Sequence, residues 1–331
     1  MIGRMYPCAH MKNCLLSPFL LRLRLPLLGV AVSLLVGCAS VPVPTGTDVS
    51  SAPSTSTPTQ AVQPPLGEKR IPHIGLALGS GAARGFAHVG VIQALEEAGI
   101  RPELVAGTSA GSLVAALYAS GKNSAQLKKI ADSMEEAEIT DWMIPILNRG
   151  ALRGEALARY VNTQVGGQAI ESMKIPLGIV ATDLQSGEAM LFRRGSTGTA
   201  VRASSAVPGV FQPVKIGSRE YVDGGLVSPV PVKQAREMGA NFVIAVDIST
   251  DPEANPAGDT FQILMQTFTI MGKSINSFGL KDANLVVRPS LLGVKSADFT
   301  ARRRSIEAGY TAMHKLIPRL RELLLQFEQG Q

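Results

Sequence analysis

The sequence predicts an α/β domain: a mainly parallel sheet with helices on both faces, in three layers. Three observations lead there. Short apolar runs such as His73–Leu78 (HIGLAL) and Phe242–Asp247 (FVIAVD) are continuous rather than alternating, which suits strands covered on both sides. Segments of helical periodicity stand between these runs, so strands and helices alternate along the chain. About 260 residues, 71–331, remain once a core-poor N-terminal region is set aside, and they show no internal repeat; that length suits one large domain.

His73–Leu78 reads as a buried strand that stops at Gly79. Gly85–Ala98 carries Phe86, Val89, Ile92 and Leu95 at helical spacing and is ended by Gly99. Leu104–Ala106 is a second short strand, followed by a helix over Gly111–Ser120. Residues 124–137 and 152–165 are further helices. Leu177–Ala181 is a strand that enters a glycine-rich, hairpin-like stretch through Arg193. Val201–Ser205 starts a short helix before Pro208, and Tyr221–Asp223 is a strand end. A helix over Val232–Met238, the strand Phe242–Asp247, an apolar helix over 260–280, a strand Leu285–Arg288 and a C-terminal helix over 303–327 complete the domain. The apolar stretches Phe261–Leu280 and Trp142–Leu147 either pack in the core or frame an apolar entrance and touch a bilayer.

The N-terminal region reads differently. Arg4, Lys12, Arg22 and Arg24 precede an apolar run from Pro26 to Gly37, with no acidic residue before Asp48. The run has the length of a signal-peptide core and is too short to span a membrane. It ends in Leu35-Val36-Gly37-Cys38, which resembles a bacterial lipobox; that resemblance makes residues 1–37 the leader and Cys38 the acylated anchor, with Met1 or Met11 as the start, and the alternative is an ordinary signal peptide with a coincidental cysteine. In the same resemblance, Ala39 after the cysteine, in place of Asp, implies sorting to the outer membrane of a Gram-negative envelope, facing the periplasm. Residues 38–70, rich in Ser, Thr and Pro, form a disordered tether. Its root-mean-square reach is roughly 30 Å.

Cysteine and charge follow the same division. Cys8 and Cys14 lie in the leader and Cys38 is the anchor, so the domain has no disulfide, thiol nucleophile or cysteine metal site. The whole chain carries a net charge of +6, but four of those positive charges sit in the leader, leaving +2. A basic balance that small gives no reason to expect a nucleic-acid partner.

Three motifs carry the chemistry. Gly107-Thr108-Ser109-Ala110-Gly111 has the pattern of a nucleophile elbow, with a strand before it and a small-residue helix after it. Gly107 and Gly111 permit the sharp turn and the close helix-strand contact. The helix N-terminus beside Ser109 favours developing negative charge; the plainer alternative is Ser109 as a helix N-cap. Gly79-Ser80-Gly81-Ala82-Ala83-Arg84-Gly85 lacks the Gly-Lys-Ser/Thr of a P-loop, and Arg84 stands where a dinucleotide fingerprint has its third glycine. The backbone N–H groups of Gly79, Ser80, Gly81 and Ala82 can instead hold an oxyanion, with Arg84 bracing the loop or reaching a substrate phosphate. The alternative is a purely structural tight turn.

The base is a choice between two arrangements. Asp223, in an Asp223-Gly224-Gly225 turn among Tyr221, Val222, Leu226 and Val227, can accept the serine proton directly if burial raises its pKa. A Ser–Asp–His triad needs a histidine after Asp223, and only His314 follows it. His88 reads as a core or capping residue, His314 as a surface one, and Asp183 and Asp247 as strand-end carboxylates.

These motifs together resemble the patatin-like phospholipase family, in particular bacterial members related to the neuropathy target esterase catalytic domain. The likeness covers about residues 73–290 and includes Ala181-Thr182-Asp183-Leu184, Arg202-Ala203-Ser204, Ala206-Val207-Pro208-Gly209 and Pro229-Val230-Pro231-Val232. It implies a three-layer α/β/α fold, a Ser109–Asp223 dyad, an oxyanion hole at Gly79–Ala82, and hydrolysis of phospholipid or lysophospholipid acyl esters without metal or cofactor. Ser80 departs from the pattern, standing where many patatins have a third glycine; a backbone donor survives that change. Two other classes remain open: a general carboxylesterase using His314, and a non-enzymatic lipid-binding module.

Overall fold

A computed structural model describes residues 69–141, 150–254, 258–295 and 297–330. These lie in one of the two units into which the chain divides, Val62–Gln331. The leader, Cys38, the tether up to residue 68 and the Trp142–Leu147 stretch lie outside the described residues.

Along the chain, β1 (Ile74–Leu78) passes through a 3-10 turn (Ala82–Phe86) into α1 (Ala87–Glu97), and β2 (Leu104–Thr108) turns into α2 (Ala110–Ala119). Next come α3 (Ser124–Ser133), the single-turn α4 (Glu136–Ile139), β3 (Gly150–Leu152), α5 (Glu155–Gln164), β4 (Leu177–Asp183), β5 (Ala189–Phe192) and α6 (Thr197–Ser204). Then β6 (Gly209–Phe211), β7 (Val214–Ile216) and β8 (Arg219–Asp223) lead to α7 (Val232–Glu237), β9 (Phe242–Val246), α8 (Thr260–Gly279), β10 (Leu285–Val287) and α9 (Arg302–Glu328).

The main sheet runs β10-β9-β1-β2-β4-β8-β7, with β5 paired to Ile179–Thr182 on the other edge of β4. The first five strands are parallel, and β8 and β7 are antiparallel additions at one side. The expected mainly parallel α/β/α architecture is therefore the one observed. Its layering follows from strand alternation. Leu76 and Leu78 of β1, Val105 of β2 and Phe242, Ile244 and Val246 of β9 face α1, α2 and α9. Ala77, Leu104, Ala106, Val243 and Ala245 face the opposite side, where α7 covers them. Both faces are dry, which is why the strands read as unbroken apolar runs. Each fully buried large side chain in these layers contributes roughly 1.5–3 kcal/mol, and Phe242→Ala would cost about 3–5 kcal/mol.

Several boundaries differ from expectation for local reasons. The helix expected over 124–137 stops at Ser133, because Met134 turns to an extended conformation. The helix expected over 152–165 begins only at Glu155: Leu152 is in strand, and Gly154 sits at φ 76. The carboxylate of Asp141 accepts the N–H groups of Gly154, Glu155 and Ala156 at 2.6, 2.9 and 3.1 Å and so caps that helix from outside it. A separate two-stranded parallel sheet, β3 with β6, and the β7–β8 hairpin go beyond the sequence expectation; strands of three residues leave no periodic signal.

Candidate active site

Ser109 lies between the end of β2 and the start of α2 with φ 54 and ψ −122. A non-glycine residue at positive φ costs on the order of 1–3 kcal/mol and persists only where its surroundings hold it. Here the Ser109 N–H donates to Ser204 Oγ at 2.8 Å, and the Ser109 carbonyl accepts from the Ser112 N–H at 2.8 Å and the Ser112 hydroxyl at 2.6 Å. Ser109 occupies the N-cap position, yet its side chain makes no capping bond. The turn is as tight as the glycine pattern suggests: a Cβ on Gly111 would lie on the Leu78 carbonyl, and one on Gly107 would strike the backbone of Gly111.

The Ser109 hydroxyl goes instead to Asp223. Oγ donates to Asp223 Oδ2 at 2.7 Å, while Oδ1 accepts the Gly225 N–H at 2.6 Å. The sheet register brings them together: Thr108 pairs with Val180, and Ala181, next along β4, pairs with Asp223 of β8. Gly224 then passes so close to the Val180 carbonyl that a side chain there would collide with it. Ser109 is 8% exposed and Asp223 6%. Burial pushes the Asp223 carboxyl up from its ordinary 3.8 to about 6, against the two hydrogen bonds, which pull it down.

The glycine-rich loop narrows the expected oxyanion hole. The Gly79 N–H donates to the Val246 carbonyl at 3.0 Å and the Ser80 N–H to the Pro229 carbonyl at 2.8 Å, so both are spent in the scaffold. Among the described residues, the N–H groups of Gly81 and Ala82 have no acceptor. Ala82 has φ 50, the second non-glycine at positive φ among the described residues, and lines the same cavity as Ser109. Arg84 braces the loop, its Nε donating to the Gly81 carbonyl at 3.4 Å. Burial lowers the Arg84 pKa to about 10, and the Asp247 carboxylate opposes that shift.

Ser109 opens onto an apolar cavity of about 290 Å³ between α2, α3 and the small sheet, lined by Leu117, Ile130, Met134, Leu157, Val210 and Phe299 among others. His314 is not part of it: the ring stacks on Tyr310 of the exposed α9 surface. Asp183 and Asp247 hold their own turns, accepting the N–H groups of Gln185 and Ser249 at 2.9 and 3.0 Å. Two residues of the site go beyond the sequence reading. Ser204 stands there only as part of a motif, and His88, a core or capping residue by its position, is buried with Nε2 2.8 Å from the Gly79 carbonyl. Their partners lie 95 and 9 residues away in sequence, and neither contact has a local signature.

Residues 76–236 match the family model described as patatin-like phospholipase. This stretch, just under half of the chain, is similar to a patatin-like phospholipase domain. An uncharacterized NTE family protein of Mycobacterium bovis is 40% identical over 189 residues, which are 57% of this chain and 52% of that protein. The chain thus spans about half the length of this relative. Patatin-like phospholipase domain-containing protein 6 of Homo sapiens is 35% identical over 190 residues, 55% of this chain and 14% of that protein. Lysophospholipase NTE1 of Debaryomyces hansenii is 29% identical over 222 residues, 64% of this chain and 14% of that one. The crystal structure of VipD from Legionella pneumophila superposes with a TM-score of 0.53 at 16% identity, over 76% of this chain and 68% of that one, and shares the patatin-like fold.

Proposed function

We propose that the patatin-like domain is a serine acyl hydrolase that cleaves fatty acyl esters of phospholipids or lysophospholipids through a Ser109–Asp223 dyad. The observation that carries this reading is the 2.7 Å hydrogen bond from Ser109 Oγ to Asp223 Oδ2 at the mouth of an apolar cavity. Ser109 Oγ attacks the ester carbonyl carbon as its proton passes to Asp223. The carbonyl oxygen, now an oxyanion, is held by the N–H groups of Gly81 and Ala82. Collapse expels the alcohol, which takes the proton from Asp223, and the acyl chain remains on Ser109 with its tail in the cavity. A water molecule deprotonated by Asp223 then attacks the acyl-enzyme and releases the fatty acid. The names of the human and yeast relatives support a lipid ester as substrate.

The lipobox-like Leu35–Cys38 leads us to place the protein in the envelope, anchored through Cys38 to the outer membrane and facing the periplasm. The exposure of α8 supports a membrane-facing reading. Ile263, Leu264, Ile270, Met271 and Phe278 are 41–69% exposed, so core packing does not account for them. The helix carries no carboxylate, and its middle rests on Pro229, whose carbonyl holds the glycine-rich loop. We take this face to lie against the lipid surface from which substrate is drawn.

The test is fatty-acid release from a mixed phospholipid and lysophospholipid panel by the purified protein beside Ser109→Ala and His314→Ala. Loss of release with Ser109→Ala alone supports the dyad. Loss with His314→Ala would replace it by a triad, and a parent protein inert on every lipid and on a p-nitrophenyl ester would leave a binding module.

A further inference from the structure

Resting on the acyl-hydrolase reading, we propose that Ser204 is a positioning residue for the nucleophile, its hydroxyl bridging the Ser109 N–H and the Val180 carbonyl to fix the direction of attack. Ser204 is the last residue of α6 and has no solvent exposure. Its Oγ accepts the Ser109 N–H at 2.8 Å and donates to the carbonyl of Val180, the residue that pairs with Thr108 across the sheet. A hydroxyl has one proton. Because that proton is committed to Val180, a lone pair must face Ser109, and the bridge has one direction only.

The same turn holds the base. Two residues on, the Ala206 carbonyl accepts the Asp223 N–H at 2.9 Å. The backbones of nucleophile and base are thus fastened to one three-residue segment, Ser204–Ala206, so their relative position is set by α6 as much as by the strands that carry them. The need is specific to Ser109, whose φ of 54 and ψ of −122 must be held from outside the turn. Removing Oγ leaves two buried backbone groups, the Ser109 N–H and the Val180 carbonyl, without a partner. Re-pairing the N–H, even with the Val180 carbonyl across the vacated hydroxyl, requires Ser109 to shift, which moves its Oγ relative to Asp223 Oδ2.

The experiment is steady-state hydrolysis of a lysophospholipid and of a water-soluble ester by the full-length protein, with active sites counted by a fluorophosphonate. In Ser204→Ala, kcat per titrated site falls roughly 10- to 100-fold with KM little changed, as expected when a reacting group is displaced and substrate binding is untouched. The rate of phosphonylation falls in step. Parental kcat per titrated site in Ser204→Ala, with or without a lower melting temperature, overturns the proposal and leaves Ser204 a packing residue. If Ser204→Ala is recovered unfolded, Ser204→Cys decides: its poorer donor and acceptor lowers kcat several-fold at unchanged KM, and parental kcat overturns the idea. Ser109→Ala in the same assay separates the two readings, since turnover there removes the acyl-hydrolase reading itself, whatever Ser204 does.

Discussion

The ring of His88 holds the carbonyl of Gly79: Nε2 stands 2.8 Å from that oxygen, inside a side chain with no solvent exposure. A carbonyl can only accept, so Nε2 carries the proton. Nδ1 is then the bare nitrogen, and it is buried without a partner. Burial lowers the His88 pKa to about 4, more than the Gly79 bond and the Asp247 charge raise it, so the ring is neutral in any ordinary buffer. His88→Leu should leave the Gly79 carbonyl unpaired, cost about 1–3 kcal/mol of stability, and lower kcat by loosening the glycine-rich loop. His88→Gln, which keeps an N–H donor, should recover part of both. Urea unfolding and kcat on one ester measure the two effects.

The raised pKa of Asp223 fixes the acid side of the pH profile. In the proposed dyad the carboxyl must be ionised to take the Ser109 proton, and burial holds its pKa at about 6. Plotted against pH, log kcat/KM should rise with unit slope below that value and level off above it. His314→Ala should leave this limb where it is.

The same shift predicts a stability gain from removing the charge. A carboxyl with a folded-state pKa of about 6 and an ordinary value of 3.8 binds its proton more tightly in the folded protein. Stability therefore declines as pH rises from about 4 to 6, and the ionised Asp223 is a net cost above that window. Asp223→Asn should abolish or nearly abolish turnover yet be the more stable protein at pH 8, by up to about 2–3 kcal/mol. Near pH 3 the advantage should vanish, because both side chains are then neutral. Denaturant melts of the two proteins at pH 8 and pH 3 test this.

On α8, Ile270→Ser with Met271→Ser should reduce retention of the protein on phospholipid vesicles. Both side chains are about half exposed, so melting temperature and hydrolysis of a water-soluble ester should not change. Co-sedimentation with vesicles, read beside the soluble assay, distinguishes weaker attachment to lipid from a damaged fold.

What could be read in the sequence was what local chemistry writes there. Leu76, Leu78, Phe242 and Ile244 announce doubly covered strands, and Gly107 and Gly111 announce a turn too close for side chains. The Asp-Gly-Gly turn marks Asp223, and the structure puts its carboxylate in hydrogen-bonding contact with Ser109. What could not be read was the spending of hydrogen bonds across the fold. Gly79 and Ser80 look as free as Gly81 and Ala82 until β9 and Pro229 are set beside them. Ser204 is one small polar residue on a short helix until its partner 95 residues away is known. The three-residue strands β3 and β6 owe their pairing to each other rather than to any pattern within them.

Ser109 and Asp223 are 114 residues apart, and the strands that lead to them pair with successive stretches of one edge of β4. Neither side chain meets the other until β4 and β8 have joined the sheet, so the proposed dyad has no partially assembled form with a working nucleophile. On that reading, a chain whose sheet is incomplete carries a serine no more reactive than its neighbours. For such a dyad, completion of the sheet would itself be the activation step.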